Sequence, residues 1–224
     1  MTRIPLLFSD NNGIIFYMGN FSWTKDSLRW MRDAAAYGDY YERLAGWIKS
    51  YLPASSRVLD AGCGTGALSR ALAPWADSVT ALDTSAPALQ GLMADRPPNV
   101  CPVVADAFSY KPARPFDVLL LCYFAHPDEF LRLSHLCQGA VILICDEERS
   151  AAYEAALTAH GIPFDKSLLS LRLDQPLRSY EEAKAYAAHY KRSEAARRQD
   201  DAAFPYLYEI TRNMALLRYP CGGL

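Results

Sequence analysis

Asp60-Ala61-Gly62-Cys63-Gly64-Thr65-Gly66 follows Arg57-Val58-Leu59 and precedes Ala67-Leu68-Ser69-Arg70-Ala71-Leu72-Ala73. The upstream flank is short, β-branched and apolar, as a buried strand is. The downstream flank carries Leu68, Ala71 and Leu72 at helical spacing. Between them, alternating glycines permit a sharp turn and let a ligand approach the backbone with no Cβ in the way. The helix that follows offers free N–H groups and a positive dipole end to polar or anionic ligand groups. A strand ending on aspartate, a glycine turn and a helix together predict a nucleotide-type ligand.

Outward from this stretch, strand-like and helix-like segments alternate to about residue 161. Strands are expected at 58–61, 79–83, 100–105, 116–122 and 140–145, and helices at 67–73, 86–94 and 127–137. Ser85 ahead of Ala86-Pro87 is a good helix start, with serine as cap and proline in the first turn. Residues 116–122 and 141–144 are almost continuously apolar, as parallel strands covered on both faces must be. The pattern is that of a doubly wound α/β sheet. Upstream, 23–51 reads as two helices broken at Gly38-Asp39 and dense in aromatic residues. Downstream, 167–173 alternates like a strand with one solvated face; a helix at 180–190, a polar segment at 193–203 and a last strand at 210–219 follow. Apolar runs on either side of Asn11-Asn12-Gly13 are compatible with a hairpin.

The composition sets bounds. The chain of 224 residues is 51% hydrophobic and 21% charged, which suits one globular domain with a real core. A formal charge of −2 argues against a nucleic-acid partner held by a broadly basic surface. Lys191-Arg192 and Arg197-Arg198 sit among Glu194, Asp200 and Asp201 and read as a solvated helix face. No apolar run approaches the ~18 residues of a membrane span, and the N-terminus lacks the pattern of a signal peptide. The six cysteines form no C-x-x-C pair and mostly lie in apolar runs; they read as buried small hydrophobes in a reducing, cytoplasmic setting.

Spacing alone leaves two ligands open, because Gly62, Gly64 and Ala67 also satisfy the dinucleotide pattern G-x-G-x-x-[GA]. Asp83 closes the second strand where a ribose-binding acid belongs, about twenty residues downstream. At this point the chain resembles class I S-adenosylmethionine (SAM)-dependent methyltransferases, especially the small-molecule type 11 group. The likeness runs over roughly residues 55–148, and Val58-Leu59-Asp60-Ala61-Gly62-Cys63-Gly64-Thr65-Gly66 looks like that family's first motif. It implies a Rossmann-like, doubly wound, mostly parallel seven-stranded sheet with helices on both faces and an antiparallel last strand. It also implies a cofactor, SAM, bound by Asp60, Ala61, Gly62, Cys63, Gly64 and Gly66, with Asp83 and Thr84 at the ribose and Asp106 and Ala107 at the adenine. Acids at three successive strand ends suit the cationic groups of SAM. A dinucleotide brings a pyrophosphate, which Asp60 would not help.

The same resemblance divides the chain into an N-terminal extension and helical lid (1–51), a SAM-binding core (52–162) and C-terminal strands with a helical insertion completing the same domain (163–224). It places Cys122 and Tyr123 in the wall shared by cofactor and acceptor, Tyr37, Tyr40 and Tyr41 as lid tyrosines at the methionine end, and residues 180–208 as the rest of the acceptor wall. The expected reaction is in-line displacement of the sulfonium methyl by a small-molecule acceptor. A general base is needed only if the nucleophile must lose a proton, and His126 is the candidate. Asp146-Glu147-Glu148 after the fifth strand can bind an amine or a divalent metal, or simply start a helix; no metal is expected. The alternatives are a catalytically silent SAM-binding partner subunit and an NAD(P)-dependent oxidoreductase, for which no proton-relay pair is evident.

Overall fold

The structure, a computed structural model, describes residues 23–221. The expected hairpin near Asn11-Asn12-Gly13 lies outside the described residues. In chain order the first elements are α1 (Lys25–Tyr37), α2 (Tyr40–Lys49), β1 (Arg57–Ala61), α3 (Ala67–Leu72), β2 (Ser78–Asp83) and α4 (Ala86–Ala94). Next come β3 (Val100–Val104), β4 (Phe116–Cys122), β5 (Cys137–Asp146), α5 (Ser150–Ala159) and β6 (Asp165–Arg172). The last are β7 (Gln175–Leu177), α6 (Tyr180–His189), β8 (Arg197–Arg198), β9 (Tyr206–Tyr208) and β10 (Thr211–Pro220). The described chain falls into two compact units, 39–171 with 212–221 and 23–38 with 172–211.

The larger unit is built on a seven-stranded sheet ordered β3-β2-β1-β4-β5-β10-β6. The pairs β1–β2, β2–β3, β1–β4 and β4–β5 are parallel, and β10 runs antiparallel to β5. This is the Rossmann-like sheet with an antiparallel last strand that the sequence implies. Leu119, Leu120 and Leu121 of β4 and Val141, Ile142, Leu143 and Ile144 of β5 are all buried, so side chains on both faces are covered. The strand order reverses between β1 and β4, and ligands of open α/β sheets bind beyond the carboxyl ends at such a switch.

Two expectations give way here. The helix expected at 127–137 is a 3-10 segment confined to Phe130–Leu136. Phe130, Leu133 and Leu136 are its fully buried side chains. A spacing of three lines them up on one face at three residues per turn, which an α-helix would fan apart. The cysteines are not all free small hydrophobes: Cys137 at the start of β5 and Cys221 after β10 form a disulfide, and Cys101 is exposed. The Cys221 N–H also donates to the Gly139 carbonyl at 2.9 Å, tying the end of β10 to the start of β5.

The smaller unit joins α1 and α6 to a three-stranded sheet ordered β7-β9-β8 with antiparallel pairing. Its core is Trp30, Leu177, Ala183, Tyr186, Tyr208 and Ile210. Thr24 and Ser27 cap α1 reciprocally. Glu182 is buried yet well matched, accepting from Trp30 Nε1 at 2.9 Å and pairing with Arg29. The solvated helix face expected around 191–198 is not formed. Arg197 and Arg198 are the exposed strand β8, whereas the Arg192 side chain is only 3% exposed.

Candidate functional site

Gly62, Gly64 and Gly66 all take left-handed backbone angles, with φ of +71°, +57° and +76°. At two of them a side chain is also excluded by space: a Cβ on Gly62 would run into the Phe124 ring, and one on Gly66 into Leu92. Four N–H groups of the turn are already bonded within the protein. The N–H groups of Gly62 and Cys63 bond the Leu82 carbonyl at 2.8 and 3.0 Å, Gly64 N–H bonds Asp83 Oδ2 at 2.8 Å, and Gly66 N–H bonds the Cys63 carbonyl. A pyrophosphate cradle needs such groups facing the ligand. Here they stitch β1 to β2, so the turn contributes shape and carries acids, which fits a cationic ligand better than a dinucleotide.

Asp60, next to last in β1, is 2% exposed, with Oδ2 accepting from the buried Ser69 hydroxyl. Burial pushes its carboxyl up to about 6; the Ser69 bond opposes this and the charge of Asp83 adds to it. A buried carboxylate beside a second carboxylate is a place for a cation. Asp83 is half-buried at the end of β2, where Oδ2 holds Gly64 N–H and Oδ1 holds Ser85 N–H at 2.8 Å. Each oxygen has a second lone pair, so both can still accept a ribose hydroxyl. Asp106 is exposed after β3, its Oδ1 accepting from Phe108 N–H at 3.0 Å, beside the buried Ala107. Thr84 is exposed; Ala61 is buried within β1, so its side chain is core. Cys63 is half-buried beside Asp60 and Asp83, and burial with those charges holds its thiol protonated.

The carboxyl ends of β4 and β5 carry a second constellation. Tyr123 and Ala125 are non-glycine residues at φ of +53° and +68°, a strained run where β4 gives out. Buried Tyr40 of α2 donates its hydroxyl towards Met214 Sδ at 3.3 Å and stacks edge-on against half-buried Tyr41. Arg212, at the start of β10, lies 3.6 Å from Asp146 Oδ1 and 5.7 Å from the centre of the Tyr123 ring. Register explains the meeting: Met214 pairs with Asp146, and Arg212 stands two residues beyond it on the same strand face. Burial raises the Tyr40, Tyr123 and Cys122 protons well above their ordinary range, with Arg212 opposing in each case.

The structure thus brings together Asp60, the glycine turn, Asp83, Cys122, Tyr123 and Tyr41 within one unit. Tyr37 belongs to the other unit, where its hydroxyl accepts from Gln199 Nε2 at 3.0 Å and its ring meets Phe204. His126 begins the turn into the 3-10 segment, with its carbonyl accepting from Glu129 and Phe130 and its Nδ1 3.1 Å from Asp128 Oδ2. Ser69, Arg212 and Asp146 as a pair escape the sequence reading. Ser69 was legible as one helical turn past the glycines; the Arg212–Asp146 pair depends on strand register and left no local signal.

With this geometry established, residues 58–138 match the family model of the methyltransferase domain. Solved structures share the fold at low identity. One is a protein from Pyrococcus horikoshii proposed as an RNA methyltransferase: 15% identity over 82% of this chain and 84% of that one, TM-score 0.55. Another is a TehB-like SAM-dependent methyltransferase from Corynebacterium glutamicum: 15% identity, 87% and 95% covered, TM-score 0.51. A third is precorrin 8w decarboxylase from Methanobacterium thermoautotrophicum: 16% identity, 79% and 89% covered, TM-score 0.51. A comparison with curated proteins found no match. Residues 58–138 thus carry a methyltransferase domain, on a sheet of the same fold as these structures. The domain makes the chain an enzyme of methyl transfer.

Proposed function

We propose that this enzyme methylates a small molecule by in-line displacement, holding the acceptor at the carboxyl ends of β4 and β5. The cofactor supplies a methyl group already activated on a positively charged sulfur. Asp60 is the group to meet the methionine ammonium, Asp83 the ribose, and Asp106 with the Ala107 backbone the adenine. The observation that carries the reading is Asp60: a buried carboxyl, raised to about 6, beside a glycine turn that holds four of its own N–H groups in bonds within the protein.

Positioning is the main contribution the protein can make, and alignment of two reactants is worth on the order of 7–11 kcal/mol in favourable cases. Tyr40, Tyr123 and Cys122 keep their protons at neutral pH because burial raises them. None of them removes a proton from the acceptor; Tyr123 and Cys122 orient it as hydrogen-bond donors, while the Tyr40 proton is committed to Met214 Sδ. An acceptor with a free lone pair, such as a neutral amine, needs no base; for a hydroxyl acceptor His126 is the proton acceptor, oriented by Asp128.

The test is calorimetric titration with SAM, its demethylated product and NAD(P), followed by transfer of labelled methyl to small-molecule panels and, separately, to transfer RNA. Micromolar binding of SAM with label entering small molecules is expected. Binding of NAD(P) alone, or label entering RNA only, overturns the proposal.

A further inference from the structure

In the smaller unit one buried cation is left with donors unmatched. Arg192 follows α6, which ends through Tyr190 and a left-handed Lys191 at φ +50°. The Arg192 N–H donates back to the Ala187 carbonyl at 2.9 Å, the paired ending in which a left-handed residue reverses the chain. The side chain is 3% exposed, its guanidinium sits 5.3 Å from the centre of the Tyr208 ring, and Nη1 is paired with Glu194. Nε and Nη2 are buried and have no hydrogen-bond partner among the described residues.

A guanidinium is charged at every accessible pH and carries five donors. Its Nε–Nη2 edge presents two parallel N–H groups, the fork that grips a planar carboxylate. Buried charged donors left unmet are costly, more so than neutral ones. The surroundings are aromatic: Tyr208 lies 5.3 Å from Tyr186, which lies 4.6 Å from Tyr190 and 5.3 Å from Trp30. We propose that the Nε–Nη2 edge of Arg192 is the recognition point for the carboxylate of a small aromatic acid. Glu194 on Nη1 shares the single positive charge of the guanidinium and competes with an incoming anion, while Lys191, Arg197 and Arg198 are exposed. The site holds one buried cation, so a planar, singly charged carboxylate is less disfavoured here than a phosphate dianion, which brings twice the charge. Ser193, Glu194 and Ala195 are exposed, and the proposal has this short segment give way to admit the ligand. The inference stands apart from the methyl-transfer reading and does not depend on the acceptor.

The experiment uses the full chain without added cofactor. Saturation-transfer NMR and calorimetry follow sodium benzoate, the neutral benzamide and inorganic phosphate. Benzoate is expected to bind and benzamide not to. Arg192→Gln should weaken benzoate by about tenfold or more, the loss of a charged double bond. Glu194→Gln, which removes a competing anion, should tighten it severalfold. SAM affinity monitors folding in each variant, and failure of SAM binding in the wild type bears only on the proposed function. Absent benzoate binding, equal affinity in Arg192→Gln, or tighter phosphate than benzoate overturns the assignment. Where Arg192→Gln does not fold, an unchanged or weakened affinity in Glu194→Gln does so.

Discussion

At the scale of single residues, Asp60 combines a cost and a use. Its folded carboxyl, at about 6, lies above the value it has in an unfolded chain. Its contribution to stability is therefore present below about pH 4 and is lost as pH rises through about 6. At neutral pH the protein without cofactor bears a buried charge that a cationic ligand relieves. Asp60→Asn should thus act with opposite signs: urea unfolding should show the free protein stabilised by about 1–3 kcal/mol, while SAM affinity falls by at least about tenfold. In the wild type, SAM affinity should be flat above pH 7 and decline towards about tenfold per unit below pH 6, as protonation of Asp60 competes with binding. A pH-independent affinity would remove Asp60 from the cofactor site. Gly62 is constrained in another way, by its φ of +71° and by the Phe124 ring. Gly62→Ala should cost roughly 1–3 kcal/mol of stability on the same measurement, because strain and overlap act together.

Among elements, what could be read from the sequence divides by the range of the interaction that fixes it. Strands β1, β2, β4 and β5, the glycine turn and the cap at Ser85 are written in contiguous residues, and Ser85 does accept from Ala88 N–H. The three acids were legible because each lies within two residues of the end of its own strand. Strands β7, β8 and β9 have two or three residues each, too few for any periodicity to register. Arg212 and Asp146 are far apart in sequence and meet only through the β5–β10 register. Arg192 looked like surface because its neighbours are charged, and it is carried inwards by the left-handed Lys191 that ends α6. That ending has a testable cost. A lysine there pays a penalty that glycine does not, so Lys191→Gly should stabilise the protein by about 0.5–1 kcal/mol in chemical denaturation. A loss of stability would mean that the lysine side chain, not the backbone, matters at this turn.

For the whole molecule, the Cys137–Cys221 disulfide closes a separation of 84 residues within the larger unit, from the start of β5 to the residue after β10. A link of that span restricts the unfolded chain, a contribution of up to about 4–5 kcal/mol in the chain-entropy account. Cys137 aligns with Phe116 at the amino ends of β5 and β4, whereas Asp60, Cys122 and Asp146 stand at carboxyl ends of their strands. The cross-link and these carboxyl-end acids thus lie at opposite ends of the strands, so stability and the proposed cofactor binding should separate. In the oxidised protein under denaturing, non-reducing conditions, four of the six thiols should react with a thiol reagent, and all six after reduction. Cys221→Ser or reduction should lower the urea midpoint and leave SAM affinity within about twofold, since neither touches the carboxyl-end acids. Six reactive thiols before reduction would show that the two cysteines are neighbours without a bond. A large fall in SAM affinity with the midpoint unchanged would show instead that the ends of β5 are coupled along the strand.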